Sequence, residues 1–168
     1  MALLLMTGMR RGEVLGLRWE DIDPEKGLIN VRRNVTYAQN QPFIGTPKTK
    51  KGFREIPLDP HLWALLQPAQ QEGFIIGGEA PISRMMYRRM WERIEKKVEL
   101  YGATAHIFRH SYLTIASNAG VEPKTIQALG GHADISTTMN IYVHKQTEQN
   151  LDAGKKIGAK LWGKDEDL

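Results

Sequence analysis

Four segments of the 168-residue sequence combine polar side chains whose types could do chemistry together. In the first segment, Arg10 and Glu13 lie three positions apart, so on a helix the carboxylate could orient the guanidinium. An arginine held in this way presents paired N–H donors that suit a phosphate. An ordinary ion pair on a helix surface has the same spacing, so this segment alone leaves both interpretations open.

The second segment is a basic stretch between two predicted strands, and it contains Lys48, Lys50 and Lys51. A mobile lysine at the tip of a hairpin can donate a proton or contact a phosphate. Lysines are also common at turns and sheet edges, where they maintain solubility. The stretch therefore permits a functional lysine without requiring one.

The third segment places His106 and Arg109 on one face of a predicted helix, which brings a titratable group beside a permanent cation. His110 lies four residues after His106, a spacing that metal ligands use. The segment offers no third ligand, and Arg109 would repel a metal ion, so we predict no metal site. A core histidine bonded to backbone carbonyls is the alternative, above all for His110.

The fourth segment carries His132 directly after a glycine pair and Tyr142 ten residues later. A tyrosine hydroxyl has an ordinary pKa of about 10 and is a weak nucleophile unless cations surround it. Arg10, Arg109 and Lys48 would supply such cations if the fold brought them together. Taken alone, Tyr142 would be assigned to the face of a helix.

The rest of the sequence predicts the elements that must position these segments. An apolar helix ends at Gly8, and a helical pattern resumes over residues 9–17. Apolar residues alternate over residues 28–58, which predicts a small antiparallel sheet of about three strands. Further helices are predicted after Asp59, after Ser83, over 106–119, over 123–130, over 136–142 and over 146–161. Together these elements indicate a mainly helical α+β domain.

Composition narrows the possible chemistry. The absence of cysteine excludes a disulfide framework, a thiolate nucleophile, a zinc finger and an iron–sulfur cluster. We find no candidate for a membrane span or a signal peptide, so we expect a cytoplasmic protein. The net charge is +4, and the basic excess is concentrated over residues 84–97. Arg84, Arg88 and Arg89 there could contact nucleic acid or form a solvated helix face.

Together, and in this order, the four segments resemble the catalytic domain of the tyrosine recombinases, the phage integrase family. TGMRRGE resembles the family's first arginine box, and TPKTKKGFREIPL resembles its lysine segment. HIFRHS resembles its His-x-x-Arg box, and LGGHADISTTMNIYVH resembles its closing box. The resemblance covers about residues 2–145, which is most of the chain.

The resemblance implies a role for each polar residue of the four segments. Those expected to act on the DNA are Arg10, Lys48, His106, Arg109, His132 and Tyr142, with Tyr142 as the nucleophile and Glu13 as the partner that orients Arg10. Lys50 is the alternative to Lys48, because the sequence does not establish the hairpin register. Lys50, Lys51, Arg84, Arg88 and Arg89 are further candidates for DNA contacts.

The expected reaction is site-specific recombination of double-stranded DNA through a covalent 3′-phosphotyrosine, with no metal, cofactor or ATP. The alternatives are a type IB topoisomerase-like enzyme and a DNA-binding module without catalysis. The resemblance also implies a monomer in isolation, a tetramer on paired DNA sites and a bacterial or phage-borne source.

We expect residues 1–168 to form one catalytic domain, the C-terminal half of a longer recombinase whose amino-terminal DNA-clamping domain is absent from this chain. Residues 146–168 would form a tail that docks on a neighbouring subunit or folds back on its own domain.

Overall fold

The computed structural model describes residues 1–46, 52–131, 156–157 and 160. These residues form a mainly helical α+β domain with small antiparallel sheets, which confirms the predicted fold class. The helices are α1 (Ala2–Thr7), α2 (Arg11–Gly16), α3 (Pro60–Leu66), α4 (Arg84–Val98), α5 (Ala105–Asn118) and α6 (Pro123–Gly130). The strands are β1 (Ile22–Asp23), β2 (Leu28–Val31), β3 (Asn34–Ala38), β4 (Gln41–Gly45) and β5 (Arg54–Pro57).

The strands of the alternating region are divided between two sheets, where the sequence pattern predicted one. Strand β2 lies between β1 and β5, and its Ile29 pairs with Ile22 on one side and Ile56 on the other. Strands β3 and β4 form a separate antiparallel hairpin. Alternation indicates that a segment is extended and half-buried, but the choice of partner depends on contacts between distant segments. The pattern therefore could not separate the two sheets.

The basic lysine segment lies between β4 and β5, which belong to different sheets. The prediction that this segment is the turn of a hairpin was therefore wrong, because its flanking strands do not pair. Residues 47–51 lie outside the described residues, as do the predicted helix over 136–142 and most of the one over 146–161.

Helix boundaries follow the capping signals in the sequence. Gly8 has a φ of 62° and donates its N–H to the Leu4 carbonyl, which ends α1 in the left-handed conformation that glycine adopts at low cost. The Asp59 carboxylate accepts hydrogen bonds from the first backbone N–H groups of α3. The Ser83 hydroxyl oxygen does the same at the start of α4. The predicted starts of these two helices are confirmed.

The main core holds α1 and α2 against the three-stranded sheet and the beginning of α5. Met9, Ile29 and Ile56 are fully buried there, and Phe108 of α5 belongs to the same cluster. Burial of side chains of this size stabilises the fold by about 1.5–3 kcal/mol each. The core therefore fixes the first arginine segment and the His-x-x-Arg segment relative to each other.

Helix α4 contacts the residues that precede α5 and the first turns of α5 itself. The Trp91 indole N–H donates to the Ala103 carbonyl over 2.9 Å, and the Trp91 ring meets Phe108 edge to face at 6.0 Å between centroids. This contact sets the width of the space between α4 and the first turn of α5. In the part of the chain that the structure describes, no helix has the length and apolar character needed to cross a membrane.

Candidate active site

A cleft of about 780 Å³ opens between α2, β3, α4 and the first turn of α5. Arg10, His106 and Arg109, which lie far apart in the sequence, all line it. The structure thus brings together two of the four segments that the sequence singled out, on the elements packed by the main core. Lys48, Lys50, Lys51, His132 and Tyr142 lie outside the described residues.

Arg10 and Glu13 form the predicted pair. The backbone N–H of Arg10 donates to Glu13 Oε2 over 2.8 Å, and Arg10 Nη1 donates to Oε1 over 3.0 Å. The Glu13 side chain is only 3% exposed, whereas that of Arg10 is 43% exposed. The buried carboxylate therefore orients a guanidinium that reaches into the cleft, which is more than a surface ion pair would do.

A second arginine, Arg54 at the start of β5, binds the same carboxylate. Its Nη1 donates to Glu13 Oε1 over 3.0 Å and its Nη2 to Oε2 over 2.9 Å, in a bidentate arrangement. Burial alone would raise the pKa of Glu13, but the hydrogen bonds and charges of Arg54 and Arg10 outweigh it and hold that pKa below its ordinary value. Glu13 is thus a buried anion shared by two cations.

Sequence reasoning missed the role of Arg54. The signal was present, since Arg54 lies two residues before the fully buried Ile56 and therefore shares its face of β5. An arginine on the core face of a strand requires a buried anion or several acceptors. That requirement predicts a buried acceptor near Arg54 but does not identify Glu13 as that acceptor.

Arg109 is buried, with 5% of its surface exposed, and its guanidinium is held by backbone carbonyls. Its Nη1 donates to the Gly8 carbonyl over 2.6 Å, and its Nη2 donates to the Gly130 carbonyl. Burial and then the nearby charge of Arg10 lower the pKa of Arg109 to about 10. It therefore remains a cation near neutral pH, placed at the wall of the cleft.

The two histidines of the third segment both lie on the exposed side of α5. His106 is exposed and lines the cleft one turn before Arg109. His110 is also exposed, which argues against the alternative that it is a core histidine. The i, i+4 spacing turns both histidines away from the core, which packs on the face of α5 that carries Phe108.

The predicted basic residues of α4 separate into distinct environments. Arg84 lines the main cleft and also a neighbouring depression of about 500 Å³, whereas Arg88 lines only that depression and pairs with Glu92 over 2.7 Å. Arg89 is exposed and belongs to neither cleft. The sequence patterns did not select Arg11, which lines both clefts and lies over the Tyr87 ring at 5.5 Å.

The sequence profile of the phage integrase family matches residues 1–149. The chain therefore belongs to the phage integrase family, which confirms the resemblance seen in the four segments. It is homologous to tyrosine recombinases, a class of enzymes that break and rejoin DNA.

Curated relatives agree with this assignment. The ICEBs1 integrase of Bacillus subtilis (strain 168) is 29% identical over 168 residues, which cover 90% of this chain and 46% of that protein. The tyrosine recombinase XerA of Saccharolobus solfataricus is 32% identical over 142 residues, covering 84% of this chain and 43% of that protein. The chain thus spans a little under half the length of these relatives.

Solved structures show the same fold. The Tn1549 transposon integrase, in complex with circular intermediate DNA, has 29% sequence identity and a TM-score of 0.71, covering 90% of this chain and 57% of that one. The catalytic domain of bacteriophage HP1 integrase has 16% identity and a TM-score of 0.59, covering 96% and 80%. The HP1 likeness concerns the fold alone.

Proposed function

We propose that this chain is the DNA-cleaving and DNA-joining domain of a site-specific recombinase, with Tyr142 as its nucleophile. The observation that carries the proposal is the convergence of Arg10, Arg109 and His106 on one cleft, with both guanidiniums already oriented by acceptors. Membership of the phage integrase family supports it.

The charge distribution of the cleft suits one phosphodiester. In the transition state of phosphoryl transfer, negative charge grows on the non-bridging oxygens, where paired N–H donors act most strongly. Arg10 and Arg109, which both line the cleft, would supply such donors. The first turn of α5 lines the same cleft, and the positive end of its helix dipole favours an anion there. His132 is proposed as a further donor.

The proposed step forms one bond and breaks one. The Tyr142 oxygen attacks the phosphorus atom, and the bond from phosphorus to the 5′ oxygen breaks, leaving a 3′-phosphotyrosine. The tyrosine proton passes to His106 or to solvent, and Lys48 protonates the departing 5′ oxygen. A 5′-hydroxyl from another strand can then reverse the reaction and release Tyr142. Since the linkage conserves the phosphodiester bond energy, no ATP is required.

The DNA on either side of the reacting phosphate would be held by charge. Arg84 and Arg11 extend the cationic lining of the cleft along α4 and α2. Lys50, Lys51, Arg88 and Arg89 are proposed to contact the phosphates farther away. Binding of double-stranded DNA by this chain should be weak and should fall steeply with added salt, because counterion release supplies most of the affinity. Strand exchange would require a tetramer on paired sites.

Covalent capture of DNA tests the proposal. A nicked suicide substrate that loses its 5′-hydroxyl fragment should leave the chain attached to a 3′ end, visible as a shifted band on a denaturing gel. Tyr142→Phe should abolish the adduct, because it removes the only atom that attacks. The matched control is Tyr101→Phe, which removes the hydroxyl of a side chain that is 72% exposed. An adduct with Tyr142→Phe would refute the nucleophile assignment.

Two other results would select the alternative functions. DNA binding without any adduct from the unmodified chain would indicate a non-catalytic binding module. Relaxation of a supercoiled plasmid without a partner site, and without strand exchange, would indicate a topoisomerase-like activity.

The lysine assignment has its own comparison. Lys48→Ala should lose cleavage of an ordinary substrate, whereas Lys50→Ala should retain it. A substrate with a 5′-bridging sulfur needs no protonation of its leaving group, so it should restore cleavage by Lys48→Ala. Loss confined to Lys50→Ala would transfer the role to Lys50.

A further inference from the structure

Three consecutive backbone carbonyls at the C-terminal end of α6 each accept a hydrogen bond from a different arginine. Leu129 O accepts from Arg54 Nε over 2.6 Å, and Gly130 O accepts from Arg109 Nη2. Gly131 O accepts from Arg10 Nη2 over 3.0 Å. The last carbonyls of a helix receive no hydrogen bond from an N–H group of the helix, and they carry partial negative charge. They therefore gather the three guanidiniums at one point.

Arg54 differs from the other two arginines in having no side open to the cleft. Its side chain is buried, as that of Arg109 is, but unlike Arg109 it is absent from the lining of the cleft in the described part of the chain. All three of its nitrogens donate: Nε to Leu129 O, Nη1 to Glu13 and to Gly52 O, and Nη2 to Glu13. A guanidinium engaged in this way holds its neighbours and does not bind the phosphate.

We infer that Arg54 is a positioning residue, which sets the placement of Arg10 through Glu13 and the placement of the end of α6 through Leu129. This inference rests on the proposed function. Arg54 lies on β5, three residues after Lys51 of the lysine segment. Gly131 is followed directly by His132 of the closing box. One side chain thereby connects the arginine box, the lysine segment and the closing box.

The fit at the turn supports this role. Gly131 has a φ of 60°, and a Cβ atom built on it would lie 2.9 Å from Arg54 Nη1. The turn therefore passes Arg54 so closely that a side chain would push one of them aside. The three guanidiniums also repel one another, since the charges of Arg10 and Arg54 both disfavour the charged form of Arg109. Glu13 and the α6 carbonyls offset that repulsion.

Arg54→Lys separates positioning from folding. A lysine keeps the charge next to Glu13, but its single nitrogen cannot reach the carboxylate and Leu129 O in the same geometry. The matched control is Arg33→Lys, since Arg33 also pairs with a buried carboxylate, that of Asp21, over 2.6 Å. Asp21 and Arg33 are not among the cleft-lining residues.

Both variants should be compared with the parent chain for thermal unfolding, DNA affinity and single-turnover cleavage at saturating suicide substrate. We expect Arg54→Lys to bind DNA within about threefold of the parent and to cleave it about 10²-fold more slowly, the scale of a 1 Å misplacement. Arg33→Lys should lower the unfolding temperature less than Arg54→Lys, because Arg33 is 22% exposed, and it should cleave within about twofold of the parent.

A double-mutant cycle with Arg10→Lys shows whether Arg54 acts through Arg10 and Glu13. Once Arg10 is displaced, Arg54→Lys should cost less than about threefold further, well short of the sum of the two single losses. Additive losses, or a folded Arg54→Lys that cleaves like the parent, would overturn the inference. Adduct formation by the parent chain tests the proposed function separately.

If Arg54→Lys does not fold, the paired variant Glu13→Gln with Arg54→Gln decides the matter. It removes both charges of the buried pair together, and the amide at position 13 would keep the shape of the carboxylate, so neither member of the pair is left as an unpaired ion. We expect it to fold, to bind DNA and to cleave slowly. Cleavage at the parent rate by this folded pair would equally overturn the inference.

Discussion

Two regions of the molecule contain a buried carboxylate bound by a distant arginine, and they use it differently. Glu13 accepts from the backbone N–H of Arg10 and from the side chain of Arg54, and Asp21 accepts from the backbone N–H of Arg18 and from the side chain of Arg33. In both cases the carboxylate lies three residues after the N–H that it caps. The local chemistry is thus nearly the same.

The difference lies in what each arginine reaches beyond the pair. Both Glu13 oxygens are bonded, and the chain of contacts continues to an exposed Arg10 in the cleft. At the other pair, Asp21 Oδ1 is buried with no hydrogen-bond partner among the described residues, and Arg33 continues to the exposed Glu20. A buried ion pair can therefore stabilise the fold, as at Asp21, or position a side chain in a cleft, as at Glu13. The further contacts of the pair distinguish the two roles.

Glu13→Ala should have the largest effect. It leaves Arg54 buried without its anion, which costs about 3–5 kcal/mol of unfolding free energy, and it releases Arg10. Asp21→Ala should cost less, about 1–3 kcal/mol, because Arg33 is 22% exposed and can turn toward Glu20 and water. Urea unfolding measures both. Equal losses for the two variants would remove the distinction between the pairs.

Arg109→Lys should affect cleavage far more than folding. A lysine cannot bridge the Gly8 and Gly130 carbonyls and also present paired donors to a phosphate, so we expect cleavage to fall about 10²–10³-fold. DNA affinity should change little, because the charge is retained. Arg32→Lys, at an exposed position that does not line the cleft, is the control and should cleave normally. A comparable loss in both variants would show that the effect is not specific to the guanidinium of Arg109.

The pH dependence of stability should carry the signature of Glu13. Its folded-state pKa lies below the unfolded-state value, so its contribution to stability is complete above the unfolded value of about 4.5 and is lost as the pH falls through the folded value. Urea titrations between pH 7 and pH 3 should therefore fall less steeply for Glu13→Gln than for the parent chain. A Glu13→Gln curve parallel to that of the parent would contradict this assignment.

The smallest expected effect concerns Arg84, at the edge of the cleft. Arg84→Ala should weaken DNA binding several-fold at low salt and reduce the slope of log affinity against log salt by about 1, since one phosphate contact is lost. Arg88→Ala should have a smaller effect, because Arg88 already pairs with Glu92. Filter binding across a salt series measures both affinities. A larger loss for Arg88→Ala would indicate that the DNA lies along the depression lined by Arg88.

Features that depend on short spacings along the chain could be predicted from the sequence. The Arg10–Glu13 pair and the shared face of His106 and Arg109 follow from local spacing, which the helix period converts into proximity. Caps at Gly8, Asp59 and Ser83 follow from backbone chemistry within a few residues. These features were accessible because each depends only on neighbours along the chain.

Features that depend on distant contacts were missed or misassigned. The sequence pattern could not show that β2 pairs with β5 while β3 pairs with β4, nor that His110 is exposed. It also gave Arg54 no role, although Arg54 meets a carboxylate 41 positions away and a carbonyl 75 positions away. Partner choice over such separations is governed by packing of the whole core, which no local period encodes.

The amino-acid sequence alone established the family, the mainly helical α+β class and the chemistry available to the site, because residue types and short spacings carry that information. Folding determined which cations meet, since the end of α6 gathers Arg10, Arg54 and Arg109 from three separate segments. The physical reason is that partly charged carbonyls and a buried carboxylate offset the repulsion among three guanidiniums only where the tertiary structure brings them together.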